Sequence, residues 1–199
     1  MAKALSEKAK YCLSFTAAGL KPELAAVMAR IQAETGSWKE TRSLVLARNA
    51  LQSRSLATGK RLETELRQRL QLLNNEQLKL LAEGSSDDRL AMAWLAGLKR
   101  IRLTVELTRD LLLNKLEGSD QQLRRSDMTG FYEASEQLHP ELRALTVSSQ
   151  KKVHSTVLAM LREVGLLEGK ANRSGLLGTV QRPSLSPQAL ALIGDDPDL

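Results

Sequence analysis

Leu145 to Leu167 reads L-T-V-S-S-Q-K-K-V-H-S-T-V-L-A-M-L-R-E-V-G-L-L, and its spacing leaves few alternatives to a helix. At about 100° per residue, Val153, Val157, Met160, Leu161 and Val164 fall on one side. Ser148, Lys151, Lys152, Ser155, Ala159 and Arg162 fall on the other. Such a helix packs by its apolar face and presents cations and small side chains outward. A nucleic-acid groove would meet phosphate-seeking cations at Lys151 and Lys152, and small residues at Ser155 and Ala159 that permit close approach. Taken alone, the stretch reads first as an ordinary surface helix whose lysines are solvated.

The flanking sequence narrows the choice. Upstream, Pro140 to Leu145 is predicted to form a short helix opened by its proline. A turn through Thr146 and Val147 then leads to Ser148 as the expected N-cap. Downstream, Gly165 supplies a left-handed stop, and E-G-K-A-N-R-S-G-L-L-G-T-V-Q-R-P follows. That segment suits a short β-hairpin carrying Lys170, Arg173 and Arg182. Short helix, turn, long helix and basic hairpin form the order of a winged helix-turn-helix.

Elsewhere helical residues dominate and β-branched runs are nearly absent, so an all-α fold is expected. Hydrophobic residues make up 42% but aromatics only 3%, so the core must be built from leucine, alanine and valine. The organisation read from the chain is a helical bundle over 1–118, a winged-helix-like domain over 119–194 and a flexible tail over 195–199. A first helix is expected from Ala4 to Phe15. A single long central helix is expected from Ser86 to about Leu116, bent near Gly97, with Lys99, Arg100 and Arg102 partly outward.

A second basic concentration spans Arg48 to Leu73. Leu62, Leu66, Leu70 and Leu73 form a stripe at helical spacing, with Lys60 and Arg61 away from it. Ser53, Ser55, Thr58 and Gly59 mark a turn or helix start just before, beside Arg54, Lys60 and Arg61, an arrangement suited to an anion. The competing interpretation is a solvated face carrying the pairs Glu63–Arg67 and Glu65–Arg69.

The net charge of +6 favours an acidic partner, nucleic acid or anionic membrane. The longest uncharged runs, such as Leu90 to Leu98, are about half what a spanning helix needs. No apolar stretch near the N-terminus has the form of a secretory signal, and the lone Cys12 fits a reducing compartment; a cytoplasmic location is expected. His139, His154 and Cys12 do not make a usual zinc site, and there is no phosphate loop or dinucleotide fingerprint. Asp87–Asp88 reads as a helix start and Asp195–Asp196 as part of a solvated tail. No enzyme, cofactor, metal or small-molecule substrate is expected.

Several ordered blocks resemble one family: the Trp38 segment, N-A-L-Q-S-R-S-L-A-T-G-K-R at Asn49 to Arg61, Arg69–Leu70, and W-L-A-G-L-K-R from Trp94. L-H-P-E-L from Leu138, S-S-Q-K-K from Ser148 and L-R-E-V-G-L-L from Leu161 continue it, from about Tyr11 to Pro187. The chain resembles the BrxA family, a small helical component of BREX (bacteriophage exclusion) defence systems. That resemblance implies an all-helical DNA-binding protein acting beside other BREX components. Ile101, Leu103, Val105 and Leu107 depart from it, being aliphatic where the family's central helix is expected to carry aromatics, which argues against base stacking there.

The expected site on duplex DNA comprises Arg54, Lys60, Arg61, Ser148, Lys151, Lys152, Ser155, Arg162 and Arg173, mainly on the phosphate backbone. Two rivals remain: a protein–protein adaptor without nucleic acid, and an RNA binder.

Overall fold

The computed structural model describes residues 11–196. A 3-10 turn at Ser14–Ala17 is followed by α1 (Pro22–Thr35), α2 (Trp38–Ala47), α3 (Leu56–Leu70), α4 (Asn75–Glu83) and α5 (Ser86–Arg100). Next come α6 (Arg102–Leu107), a π-helical turn (Thr108–Leu112), α7 (Leu113–Glu117), β1 (Gln122–Arg124), α8 (Arg125–Leu138) and α9 (Pro140–Arg143). The order closes with α10 (Val147–Glu163), β2 (Leu167–Glu168), β3 (Leu176–Val180) and α11 (Pro187–Gly194). The chain is mostly helical, as expected, with a small sheet. Most of the expected Ala4–Phe15 helix lies outside the described residues, and its end is only the 3-10 turn.

The chain divides into two compact units, one of residues 17–100 with 185–196, the other of 11–16 with 101–184. One boundary between the two units lies between Arg100 and Ile101. At Gly97, where the sequence predicts a bend, α5 runs on without interruption. Instead Ile101 leaves helical geometry at φ −111° and ψ 83°. Thr104 closes the break, its N–H and Oγ1 both donating to the Ile101 carbonyl at 2.8 and 2.6 Å. Ile101 itself is fully buried.

In the helical unit (17–100, 185–196), local chemistry sets each helix end. Pro22 opens α1, whose donors at that position have no partner in any case, and Gly36 closes it at φ 65°, where a Cβ would be strained. Asn74 and Gln77 exchange bonds at the start of α4, and Ser85 and Asp88 do so before α5. α1 packs on α2, α4 and α5, while α3 lies on α2 and α5. The shared core includes Met28, Ile31, Val45, Leu66, Leu70, Leu81, Met92 and Leu95. Burial of each such side chain contributes about 1.5–3 kcal/mol. Trp38 is only half-buried, packed at the margin of this core.

Asp196 corrects the expectation of a solvated tail. It is buried, and accepts from Gln77 Nε2 at 2.6 Å and pairs with Lys99 Nζ at 2.8 Å. Asp88 takes a second role beyond its helix start: Ser186 Oγ donates to it at 2.5 Å, fixing the start of α11. The hydroxyls of Ser186 and Ser85 hold its carboxyl below the usual carboxylate range.

In the hairpin unit (11–16, 101–184), α10 buries Val153, Val157, Met160 and Leu161, and its C-cap Val164 is buried with them, the face that the periodicity predicts. Thr146 rather than Ser148 is its N-cap, accepting from the Ser149 N–H at 3.2 Å. Gly165 ends the segment at φ 78°. β2 and β3 form the expected hairpin. β1 joins β3 antiparallel on its other side, giving the order β1-β3-β2. Leu123, Leu167, Leu177 and Val180 of the sheet are buried.

Gly178 makes this sheet possible. It lies opposite Leu123, and a Cβ there would sit 2.4 Å from the Glu168 carbonyl oxygen of β2. The obstacle is backbone, so it does not yield by a rotamer change. Gly178→Ala is expected to cost at least about 2 kcal/mol, read from urea unfolding; wild-type stability would show that the strands re-register freely.

Candidate nucleic-acid interface

The face of α10 opposite its apolar stripe is open. Ser148, Lys151, Lys152, Ser155 and Ala159 are all exposed on it. Among the described residues, neither Lys151 nor Lys152 makes an ion pair or a side-chain hydrogen bond. The other side of the helix is held by four buried apolar residues, Val153, Val157, Met160 and Leu161, so packing does not call on its cations.

The hairpin continues the same charge. Lys170, Arg173 and Arg182 are exposed, and among the described residues none is paired. The loop from Gly169 to Gly175 has its own internal bonding. Asn172 Oδ1 accepts from Ser174 Oγ at 2.7 Å and from the Leu176 N–H at 3.1 Å. The Asn172 N–H donates to the Leu176 carbonyl at 2.9 Å, and the Arg125 N–H to the Gly175 carbonyl at 2.9 Å. Asparagine turns of this kind hold a loop without burying it.

Arg162, expected on the outward face, is placed differently. Its Nε donates to the Gly169 carbonyl at 3.3 Å and its Nη2 to the Leu177 carbonyl at 2.8 Å. Its fork is spent on the hairpin.

Two histidines flank this region as packing groups. The His154 ring stacks on Tyr132 with centroids 3.7 Å apart. Burial pushes its pKa down, favouring the neutral ring, and Glu136 opposes that shift. His139 is buried and stacks on Tyr11 at 3.7 Å, with Glu141 and Glu106 at 3.4 and 3.7 Å. Tyr11 OH donates to Glu106, and burial with that neighbour raises its pKa. Nothing local in the sequence announces this cluster.

The second cluster belongs to the helical unit. Ser55 caps α3, accepting from the Thr58 N–H at 3.2 Å, and Arg54, Lys60 and Arg61 are exposed around that start. A shallow cavity of about 200 Å³ opens beside it, lined by Val45, Leu51, Arg54, Leu56 and Gly59. The predicted intrahelical pairs exist: Arg67 Nε reaches Glu63 at 2.7 Å and Arg69 Nε reaches Glu65 at 3.0 Å. They engage Arg67 and Arg69, so the carboxylates of α3 do not neutralise Lys60 or Arg61. The expected intrahelical pairs therefore account for Arg67 and Arg69 and leave Lys60 and Arg61 outside them.

Lys99, Arg100 and Arg102 do not join any outward basic surface. Lys99 pairs with Asp196, Arg100 donates to Gln68 at 2.7 Å, and Arg102 pairs with Glu106 at 2.5 Å. Among the described residues no group of His, Cys, Asp and Glu is arranged to hold a metal, and no helix is long and apolar enough to cross a membrane.

A solved structure of an uncharacterized protein from Magnetospirillum magneticum shares this fold, with a TM-score of 0.79 over 94% of this chain and 93% of that one at 18% identity. The BREX protein BrxA of Escherichia coli O9:H4 (strain HS) is 24% identical over 157 residues, 79% of this chain and 70% of that protein. Residues 9–195 match the BrxA family. The chain belongs to the BrxA family. BrxA membership makes it a protein of BREX phage defence, and the match spans both units, including α10, the hairpin and the start of α3.

Proposed function

We propose that this BrxA-family chain is a non-enzymatic, cytoplasmic DNA-binding component of BREX that grips duplex DNA mainly by its phosphates, with weak sequence preference. In this reading the hairpin unit acts as a winged helix-turn-helix. Helices α6 and α7, strand β1, helices α8 to α10 and the β2–β3 hairpin supply the order that such a module needs. The observation that carries the reading is the pair Lys151 and Lys152, exposed and unpaired on the side of α10 away from the core. Lys170 and Arg173 extend it along the hairpin, and Ser148 and Ser155 offer hydroxyls on either side of the two lysines. Arg54, Lys60 and Arg61 add backbone contacts from the helical unit. Cations displayed in this way hold a polyanion without reading its bases. Other BREX components are its expected protein partners.

Fluorescence polarisation of the full chain on duplex DNA, single strands and structured RNA across a salt series tests this. Duplex should bind best, with log affinity falling against log salt at a slope of about −3.6 if four phosphates are neutralised by the hairpin unit, and about −6 if α3 adds three more. Absence of duplex binding at low salt, with co-elution of another BREX component, would replace the DNA reading by an adaptor. Preference for structured RNA would replace it by an RNA binder.

A further inference from the structure

We infer that Arg162 is a positioning residue that locks the β2–β3 hairpin onto the end of α10, rather than a phosphate contact. The inference rests on the DNA-binding reading above and assigns a division of labour within it. Arg162 lies in the last turn of α10. Its two bonds go to carbonyls on opposite limbs of the hairpin, Gly169 just past β2 and Leu177 within β3. A planar guanidinium can satisfy two such acceptors at once, which an ammonium at one point cannot. Gly169 opens the loop that carries Lys170 and Arg173, so the tether fixes the base of the segment bearing both exposed cations. Asn172 fixes its tip through Leu176 and Ser174. Between these two fastenings the loop is ordered before any ligand arrives. An ordered loop loses less entropy on binding than a free one. Arg162 therefore raises affinity through Lys170 and Arg173.

The test compares R162Q, R162K, K170Q/R173Q and the triple variant R162Q/K170Q/R173Q on a duplex in the same salt series. Losing two phosphate contacts lowers the salt slope by about 1.8. R162Q should approach the K170Q/R173Q behaviour in affinity and slope, and the triple variant should lose less than about twofold beyond K170Q/R173Q, because the effects share one route. R162K, which keeps the charge, should lie closer to R162Q than to wild type. R162K closer to wild type, or a triple variant whose losses multiply, would make Arg162 a direct charge contact. Hydrogen exchange of the free protein judges the tether separately: amides over 167–180 should exchange faster in R162Q and R162K. Unchanged exchange overturns the inference even if DNA binds, whereas wild-type protein that ignores duplex overturns the DNA reading instead.

Discussion

Reversing both lysines in K151E/K152E lowers affinity for duplex DNA by at least about tenfold near physiological salt. Two lost phosphate contacts reduce the salt slope by about 1.8, so the deficit is largest in dilute salt and shrinks as counterions screen the site. The new carboxylates add repulsion where attraction stood. Both positions are exposed and unpaired on α10, so folding stability should stay within about 0.5 kcal/mol of wild type. That separation between binding and stability makes the result diagnostic. Wild-type affinity in the polarisation titration would remove α10 from the interface, however basic its surface. Loss of co-elution with a BREX component, with no duplex binding in either protein, would mark the same face as an adaptor surface.

What could be read without coordinates was what local chemistry determines. The apolar face of α10 follows from a 3.6-residue period, and its end from Gly165, where a left-handed φ favours glycine. The hairpin followed from glycine and polar residues around Leu176–Val180. β1 did not, because only Leu123 among its three residues is apolar, and its partner strand lies far along the chain at Thr179 to Leu176. The break at Ile101 is equally silent: no glycine or proline marks it, and a buried side chain with a Thr104 cap holds it open. Charges failed in the same way. Lys99 looks free until Asp196 returns to it, and Arg162 sits on the outward face by angle yet spends its fork on hairpin carbonyls. Periodicity gives the direction of a side chain and says nothing about which distant acceptor it meets.

The same distinction governs the largest expected effect on folding. Arg69→Ala should destabilise the helical unit by about 3–5 kcal/mol. Arg69 and Glu65 are nearly inaccessible, at 2% and 4% side-chain exposure, and their atoms meet at 3.0 Å. Arg69 also donates to the Gly19 carbonyl, so its removal takes this donor from a buried carboxylate and a carbonyl together. A domain typically holds only about 5–15 kcal/mol in reserve, and each kcal/mol moves the melting temperature by about 2–4 °C for a chain of this size. The fall should therefore be about 6 °C or more in a thermal scan of the full chain. Replacing both partners, as in E65L/R69M, should recover much of the loss, since two well-packed apolar side chains avoid the desolvation that an ion pair suffers. The Gly19 carbonyl stays without this donor and limits the recovery by about 1–3 kcal/mol. An R69A protein within about 1 kcal/mol of wild type would mean that water enters beside Glu65. The pair would then be a surface bridge folded inward, and α3 would present Lys60 and Arg61 from a helix held by leucine packing alone.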